Sequence, residues 1–402
     1  MRPYRGRRVL LGVTGGIASY KTAWLARLLA QAGAEVDVVL TKSAREFIGA
    51  VTFEALTGRP VHTELVAEGH ALDHITLARA AELIVVAPAT ADFLSRAASG
   101  RADDLLAACL LAADAPVLLV PAMNDRMWAH RQTVENVAHL RSLDYTVLDP
   151  EDGPLASPHE GAGAGRMPEP ERIFAHVGRM LEPRGALAGR RVLVTAGPTR
   201  EALDPVRFLS NESSGKMGVA IAAAAWRRGA EVTLVAGPLA VAPPSDVSVV
   251  HVSSTSDMHD AVRAGLASAE VLVMAAAPAD FRPREIAAGK IKKAKRPESI
   301  ALEDTGDILA STRDARRHGA VIVGFALETD DVLKHAHEKL AAKALDLIVV
   351  NDAREEGAGF GADTNRVTIL APREEPVVLP LLSKAETADA ILDRVEKILH
   401  GR

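Results

Sequence analysis

The apolar positions of this chain fall into short unbroken runs separated by longer stretches of helical period. Residues 9–13, 83–87 and 116–120 are such runs, rich in Val, Leu and Ile and free of polar alternation. That pattern predicts strands buried on both faces, as in a parallel sheet. Between the first two strands, residues 17–32 show an amphipathic helix, and residues 35–40 form the next strand. Helical segments follow around residues 101–112 and 169–181, with a short strand near 146–148 and a glycine-rich stretch at 161–167. Beyond residue 190 the grammar restarts. Strands are predicted at 191–195, 232–235, 247–252, 271–275, 320–325 and 347–350, and helices at 219–226, 256–267, 330–343 and 385–399.

The restart carries partial identity. Gly6-Arg7-Arg8-Val9-Leu10 returns as Gly189-Arg190-Arg191-Val192-Leu193, and Gly33-Ala34-Glu35-Val36 as Gly229-Ala230-Glu231-Val232. The markers lie 27 residues apart in the first copy and 40 in the second, and the opening loop of the second accounts for the excess. The expectation is an α/β chain of two tandem doubly wound, Rossmann-like domains, 1–182 and 190–402, joined by a linker at 183–189.

Composition adds exclusions. The 402 residues are 48% hydrophobic and 25% charged, an ordinary globular mix long enough for two cores. A formal net charge of −5 argues against a broad nucleic-acid-binding surface. The single cysteine, Cys109, excludes an internal disulfide and a multi-cysteine metal site, which suits a reducing, cytoplasmic setting. The basic N-terminus leads straight into a strand and a glycine turn, so no signal peptide is expected, and no apolar run has membrane-spanning length.

Candidate chemistry sits where strands end. The turn Thr14-Gly15-Gly16 precedes a helix and can receive a phosphate on backbone N–H groups. It is not the G-x-G-x-x-G fingerprint, so a mononucleotide such as FMN fits better than a nicotinamide dinucleotide. Thr41-Lys42-Ser43 and Pro88-Ala89-Thr90-Ala91-Asp92 end the next strands. His74 lies just before a helix, and Asn124 in a strand-end turn is an amide able to bind a carboxylate; either could equally be structural. In the second domain, residues 196–218 are too long for a simple strand-to-helix turn. They hold glycines, arginines, Asn211 and a Ser-Ser-Gly-Lys tip suited to anionic oxygens. The tip is not a Walker A loop, because Met217 follows Lys216 and the upstream glycine spacing is wrong. Residues 289–296 carry five basic residues in eight after the strand-end motif Ala275-Ala276-Ala277-Pro278-Ala279-Asp280, which points to a polyphosphate site. Lys339 and Lys343, four apart on one helix, could add to it.

Three motifs taken together, HITLARAAELIVVAPATAD, PAMNDRMW and AGPTREALDPVRFLSNESSGKMG, carry a resemblance. The chain resembles, over essentially its whole length, the bacterial fusion of phosphopantothenoylcysteine decarboxylase with phosphopantothenate–cysteine ligase, two enzymes of coenzyme A biosynthesis. The resemblance implies an FMN-dependent first half, trimeric, with active sites between subunits. Gly15, Gly16, Ser43 and the turn Pro88, Ala89, Thr90, Ala91 would contact FMN, His74 would be the catalytic histidine, and Asn124 would hold the substrate carboxylate. The chemistry is sensible: a carboxylate alpha to an amide nitrogen has no electron sink until flavin oxidation of the thiol to a thioaldehyde supplies one. It implies a second half, pairing as a dimer, in which CTP and Mg²⁺ activate 4′-phosphopantothenate as an acyl-cytidylate that the cysteine amine then attacks. There Asn211 and Arg207 would hold the acyl-cytidylate. Met274, Ala275, Ala276, Asp280, Lys290, Asp307, Ile308, Leu309, Phe325, Lys339 and Lys343 would serve CTP, Lys290 also stabilising charge on the phosphates. The ligands of the magnesium ion are not indicated.

Two departures from the family pattern stand out. A flap before the Gly-x-Gly-Arg-Met stretch normally carries a proton-donating cysteine; this chain has Ala156-Ser157-Pro158-His159-Glu160-Gly161 there. Either His159, Glu160 or Ser157 replaces it, or the reduction is impaired and an oxidised enethiol leaves. The alternative to a bifunctional enzyme is thus an active ligase whose first half is an assembly module or an oxidative decarboxylase. At Asp304-Thr305-Gly306-Asp307-Ile308 the family tends to have Lys, a small polar residue and Pro-Asp-Ile, so one cation is lost.

Overall fold

The computed structural model describes all residues except 1, 67, 69–70, 156–160, 294–297, 329–331 and 353–360. Two compact units emerge, Met1–Pro183 and Arg184–Arg402.

The first unit runs β1 (Arg8–Val13), α1 (Ser19–Gln31), β2 (Glu35–Leu40), α2 (Ala50–Thr57), β3 (Val61–His62), α3 (Asp73–Ala80) and β4 (Leu83–Ala89). It continues with α4 (Ala91–Ala98), α5 (Leu105–Ala112), β5 (Val117–Pro121), α6 (Asp125–Trp128), α7 (Arg131–Ser142) and β6 (Thr146–Val147). A hairpin, β7 (Glu151–Pro154) and β8 (Ala162–Arg166), and the helix α8 (Pro170–Leu181) complete it. The six main strands form a parallel sheet in the order β3-β2-β1-β4-β5-β6. Its strands need no polar face because helices cover both sides. Leu83, Val85 and Ala87 of β4 enter one core with α1 and α8, and Ile84, Val86 and Ala89 enter the other with α4, α5 and α7. Strand order reverses between β1 and β4, which opens a crevice at their carboxyl ends.

The predicted helix at 101–112 begins only at Leu105, because the Asp104 carboxylate accepts the Ala107 N–H and caps the helix there. Cys109 is wholly buried in α5. Burial, reinforced by the Asp104 and Asp73 carboxylates, pushes its thiol up to about 12, so it is a core residue without thiolate character.

The second unit begins with β9 (Arg191–Ala196), β10 (Arg200–Ala202), β11 (Phe208–Ser210), α9 (Lys216–Arg227), β12 (Glu231–Ala236), β13 (Ser248–His251) and α10 (Thr255–Leu266). It goes on through β14 (Val271–Met274), β15 (Phe281–Pro283), β16 (Leu302–Asp304), α11 (Ile308–Ser311), β17 (Val321–Glu328), α12 (Val332–Ala342) and β18 (Leu347–Asp352). Last come β19 (Thr364–Asn365), β20 (Val367–Leu370), β21 (Val377–Val378), β22 (Leu382–Ser383) and α13 (Lys384–His400). Eight strands form one sheet, β13-β12-β9-β14-β17-β18-β20-β21. Its first six are parallel, and β20 and β21 add on antiparallel. Those two short strands, of which β21 forms the edge, were not anticipated, being too short to show a period. The 196–218 loop folds back as the β10–β11 hairpin, with the Arg200 guanidinium 4.4 Å over the Phe208 ring, and α9 starts at Lys216 rather than at residue 219.

The sequence repeat has a structural counterpart. Gly6 N–H donates to Gly33 O at 2.8 Å, and Gly189 N–H to Gly229 O at 3.0 Å. Arg8 pairs in register with Glu35, and Arg191 with Glu231. Residues 184–189 fold with the second unit: Leu187 is fully buried and its N–H donates to Glu396 Oε1 at 3.2 Å.

A buried cation ties α9 to α13. Arg228 is 3% exposed and donates to Asp389 Oδ1 at 3.0 Å, Asp393 Oδ1 at 2.8 Å and Glu396 Oε2 at 2.8 Å. Burial works against the guanidinium charge, but Asp393 and Asp389 outweigh it and hold the group above its ordinary range. Arg228→Met should therefore leave three carboxylates facing one another and lower the stability of this unit by about 3 kcal/mol. Hydrogen exchange of the α13 amides in the full chain measures it; unaltered protection would show the network to be energetically idle.

Among the described residues no helix is long and apolar enough to cross a membrane.

Candidate active sites

In the first unit a cleft of about 620 Å³ opens at the carboxyl ends of β1, β4 and β5. Of the residues singled out in the sequence, Gly15, Gly16, Thr90, Ala91 and Asn124 line it. Thr14 organises the floor: its hydroxyl donates to Pro88 O at 2.7 Å and accepts the Thr90 N–H at 3.1 Å. Ser43 lies against Gly15 so closely that a Cβ there would stand 2.4 Å from the Ser43 Cβ. Any side chain at residue 15 would collide with Ser43, so the glycine is what lets the turn after β1 pack against the turn after β2. The first turn of α1 has no side-chain cap; its Ser19 and Lys21 N–H groups are taken by Gly16 O and Ala18 O, both at 3.0 Å. Pro88, Ala89 and Ser43 support the cleft without lining it.

The opposite wall was less legible. Lys21 sits on the apolar face of α1, 6% exposed, and its ammonium donates to Met167 O at 2.8 Å and to Glu169 Oε1 at 3.1 Å. Asn124 caps α6, its Oδ1 accepting the Arg126 N–H at 3.0 Å. The glycine-rich strand β8 packs directly on this turn, with Met123 N–H bonded to Gly165 O at 3.0 Å. The sequence showed the glycines but not their partner. His74 stands apart on α3; it does not line the cleft of its own chain, and its buried Nδ1 has no hydrogen-bond partner among the described residues. Next to it, Asp73 pairs with His62 at 3.2 Å. Ser157, His159 and Glu160, the substitutes named for the flap cysteine, lie outside the described residues.

In the second unit the switch point falls between β9 and β14. Thr195 bridges it, its Oγ1 accepting the Ala276 N–H at 3.1 Å, and Ala277 N–H reaches Gly197 O at 2.9 Å. Met274, Ala275 and Ala276 are thereby held at the crevice edge. Asn211 Nδ2 donates to Pro278 O at 2.9 Å and to Ala277 O at 3.4 Å, fixing the long loop onto the same strand end. Behind them lies a polar network that sequence reading missed. Glu201, 5% exposed, accepts the Thr255 N–H at 2.7 Å and the Thr255 hydroxyl at 2.8 Å. Thr199 Oγ1 lies 2.8 Å from Thr255 Oγ1 and accepts the Ala279 N–H at 2.9 Å. A glutamate inside the strand-end loop was the only signal of it.

Arg207 Nη1 donates to Asp204 Oδ2 and to Ile291 O, both at 3.2 Å, so the arginine reaches the basic segment that carries the exposed Lys290. Asp307 pairs with Lys343 at 2.8 Å, one helical turn from Lys339. Burial alone would raise the Asp307 carboxyl, but Lys343 and the Ala310 N–H hold it below the usual carboxylate range. The side chains of Ile308 and Leu309 are buried in the core, 4% and 8% exposed, rather than presented to a ligand. Phe325 is half-buried on β17. At the second departure, Thr305 N–H donates to Asp280 O at 3.0 Å and its hydroxyl to Ala279 O at 2.6 Å. Gly306 follows with φ +88°, a conformation closed to proline. Lys216 is engaged by Asp363 Oδ1 at 2.6 Å. Among the described residues no three His, Cys, Asp or Glu side chains form a metal cluster.

A cleft at the strand ends of one doubly wound unit and a loop-covered switch point in the next define a tandem α/β protein. Residues 1–182 match the family model described as Flavoprotein, and residues 187–399 that described as DNA/pantothenate metabolism flavoprotein C-terminal domain. The Coenzyme A biosynthesis bifunctional protein CoaBC of Mycobacterium tuberculosis (strain ATCC 25618 / H37Rv) is 49% identical over 410 residues, covering 98% of this chain and 97% of that protein. The protein of the same name from Vibrio vulnificus (strain YJ016) is 43% identical over 403 residues, covering 99% and 100%. A solved structure of the C-terminal domain of such a protein is 41% identical, covers 54% of this chain and 100% of that chain, and has a TM-score of 0.47. The chain belongs to the family of bifunctional coenzyme A biosynthesis proteins. It is a two-activity enzyme, a flavoprotein decarboxylase followed by a ligase, and its flavoprotein family supports FMN for the first unit.

The β8 glycines now acquire a consequence. A Cβ on Gly165 would stand 2.2 Å from Met123 O, a backbone atom that cannot rotate away. Gly165→Ala must therefore displace either β8 or the turn that presents Asn124, and a shift near 1 Å lowers a rate by about 100-fold. Carbon dioxide release from 4′-phosphopantothenoylcysteine should fall by that order while the ligation step is untouched. Equal loss of both activities would point to global unfolding instead.

Proposed function

We propose that the second unit joins cysteine to 4′-phosphopantothenate at the expense of CTP, and that the first unit decarboxylates the product to 4′-phosphopantetheine. In the ligation, a substrate carboxylate oxygen attacks the α-phosphorus of CTP and pyrophosphate leaves. The cysteine amine then attacks the acyl carbon and CMP leaves. A carboxylate is a poor acyl donor, and the nucleotidyl group makes it a good one. Lys290 stabilises charge on the departing phosphates, to which a magnesium ion would add if bound; Asn211 and Arg207 hold the acyl-cytidylate, and Asp280, Lys339, Lys343, Phe325, the 274–276 strand end and the 307–309 turn, through its backbone and not the buried Ile308 and Leu309 side chains, bind the nucleotide. The observation that supports this reading is that one loop carries both Asn211, bonded to the Ala277 and Pro278 carbonyls beside the switch point, and Arg207, bonded to Ile291 of the basic segment.

In the decarboxylase, bound FMN supplies an electron sink by oxidising the substrate thiol. The protein does the rest. Gly15, Gly16, Ser43 and the 88–91 turn hold the cofactor, Asn124 binds the substrate carboxylate, and His74 moves a proton. Because His74 stands outside its own chain's cleft, it serves a neighbouring copy in a trimer; second units pair as dimers. Ser157, His159 or Glu160 supplies the final proton. The full-length match to bifunctional relatives favours two working halves over an assembly module. The single buried Cys109 suits a cytoplasmic enzyme.

The test supplies purified protein with 4′-phosphopantothenate, cysteine, CTP and Mg²⁺ and follows products by mass. Accumulation of 4′-phosphopantetheine is the expected result. A reaction that stops at 4′-phosphopantothenoylcysteine, or a product two mass units short, would refute the complete decarboxylase.

A further inference from the structure

Asp204 is 2% exposed, at the turn between β10 and β11. Its Oδ1 accepts the N–H groups of Val206 and Arg207, both at 2.8 Å, which is an ordinary aspartate turn. The other oxygen makes contacts that a turn does not require. Oδ2 accepts the Ile291 N–H at 3.1 Å and Arg207 Nη1 at 3.2 Å, while the same Nη1 donates to Ile291 O at 3.2 Å. Nearby, Ala287 N–H donates to Leu203 O at 3.1 Å. The segment bearing Lys290, Lys292 and Lys293 is thus pinned to the opening loop at Ala287 and Ile291, and at Ile291 the N–H is held by the Asp204 carboxylate. Burial alone would raise that carboxyl. The N–H groups of Val206, Ile291 and Arg207, with the Arg207 charge, outweigh it and keep the group ionised below the usual range.

We propose that Asp204 is a positioning residue of the ligase site: through Oδ2 it sets the Arg207 guanidinium and the backbone beside Lys290 at a fixed spacing, ready for the triphosphate and the acyl-cytidylate. The proposal rests on the assignment of Arg207 and Lys290 given above. It makes a prediction specific to one oxygen. Asp204→Asn keeps an acceptor for the Val206 and Arg207 N–H groups but sets an amide NH₂ against two donors. The turn survives, and the Oδ2 tether to the Ile291 N–H and to Arg207 is lost.

Two measurements on the full chain with FMN bound test it. In the unmodified protein the Ile291 amide should be protected from exchange, and in Asp204→Asn it should exchange faster and trypsin should cut sooner after Lys290, Lys292 or Lys293. In steady-state pyrophosphate release, kcat/KM for CTP should fall about tenfold, the scale of losing one hydrogen bond to a charged group, while KM for cysteine and carbon dioxide release hold. Should Asp204→Asn fail to fold, Asp204→Ser retains the turn acceptor and lacks the second oxygen. Fast exchange at Ile291 in the unmodified protein overturns the tether. A broken tether with unaltered CTP kinetics, while Lys290→Ala is impaired, overturns positioning by Asp204 alone. Unaltered CTP kinetics in Lys290→Ala overturns the site assignment and the proposal with it.

Discussion

Replacing His74 with asparagine should stop carbon dioxide release and leave pyrophosphate release intact. His74 is held at the start of α3 with its Nδ1 buried and unpartnered among the described residues. An asparagine amide occupies about the position of Nδ1 and can reproduce a hydrogen bond there, but it cannot exchange a proton near neutral pH. Loss of a positioned acid–base group lowers a rate by roughly 100- to 10,000-fold. The outcome to look for is accumulation of 4′-phosphopantothenoylcysteine in a protein that still binds FMN, read by flavin absorbance and product mass. Carbon dioxide release within a few-fold of the parent would remove His74 from the reaction. If each cleft takes its histidine from a neighbouring copy, mixing His74→Asn with Asn124→Ala chains should restore part of the activity, because some clefts then receive both native residues.

The second large effect concerns the ligase. Lys290→Ala should lower CTP-dependent pyrophosphate release by about 100-fold or more, the scale of removing one charge-stabilising donor from a transition state. Lys290 is exposed and neighbours Ile291, whose backbone is bonded on both sides to the opening loop. The substitution removes a cation without disturbing a core. Asn211→Ala should act by a different route, releasing the Ala277 and Pro278 carbonyls and loosening the loop from the strand end. Both variants should keep bound flavin and decarboxylate supplied 4′-phosphopantothenoylcysteine. Unchanged pyrophosphate release in both would sink the placement of the ligase site.

The two sheets were legible in the sequence because strands buried on both faces must be apolar throughout, and helices covering them must be amphipathic. Local pairing rules therefore fix β1, β4, β5, β9, β14 and β17 from their own residues. The repeated Gly-Arg-Arg-Val-Leu and Gly-Ala-Glu-Val markers gave the tandem arrangement, because each glycine closes the same backbone contact beside the same strand pair. The strand-end motifs followed from the rule that parallel sheets bind ligands where strand order reverses. What the sequence could not display is contact between residues remote along the chain. Gly165 against Met123, Asp204 beneath Ile291, Glu201 under Thr255 and Lys21 on Met167 involve groups whose types are unremarked locally. Their meaning arises only when folding excludes water from them, because a buried polar group must find a partner wherever the fold brings one. The short antiparallel strands β20 and β21 escaped for a related reason: such short strands take their pairing from the sheet they join, not from a period of their own. Sequence alone determined the two layered domains and the positions of their ligand-facing ends; the tertiary structure decided which polar side chains hold those ends in place.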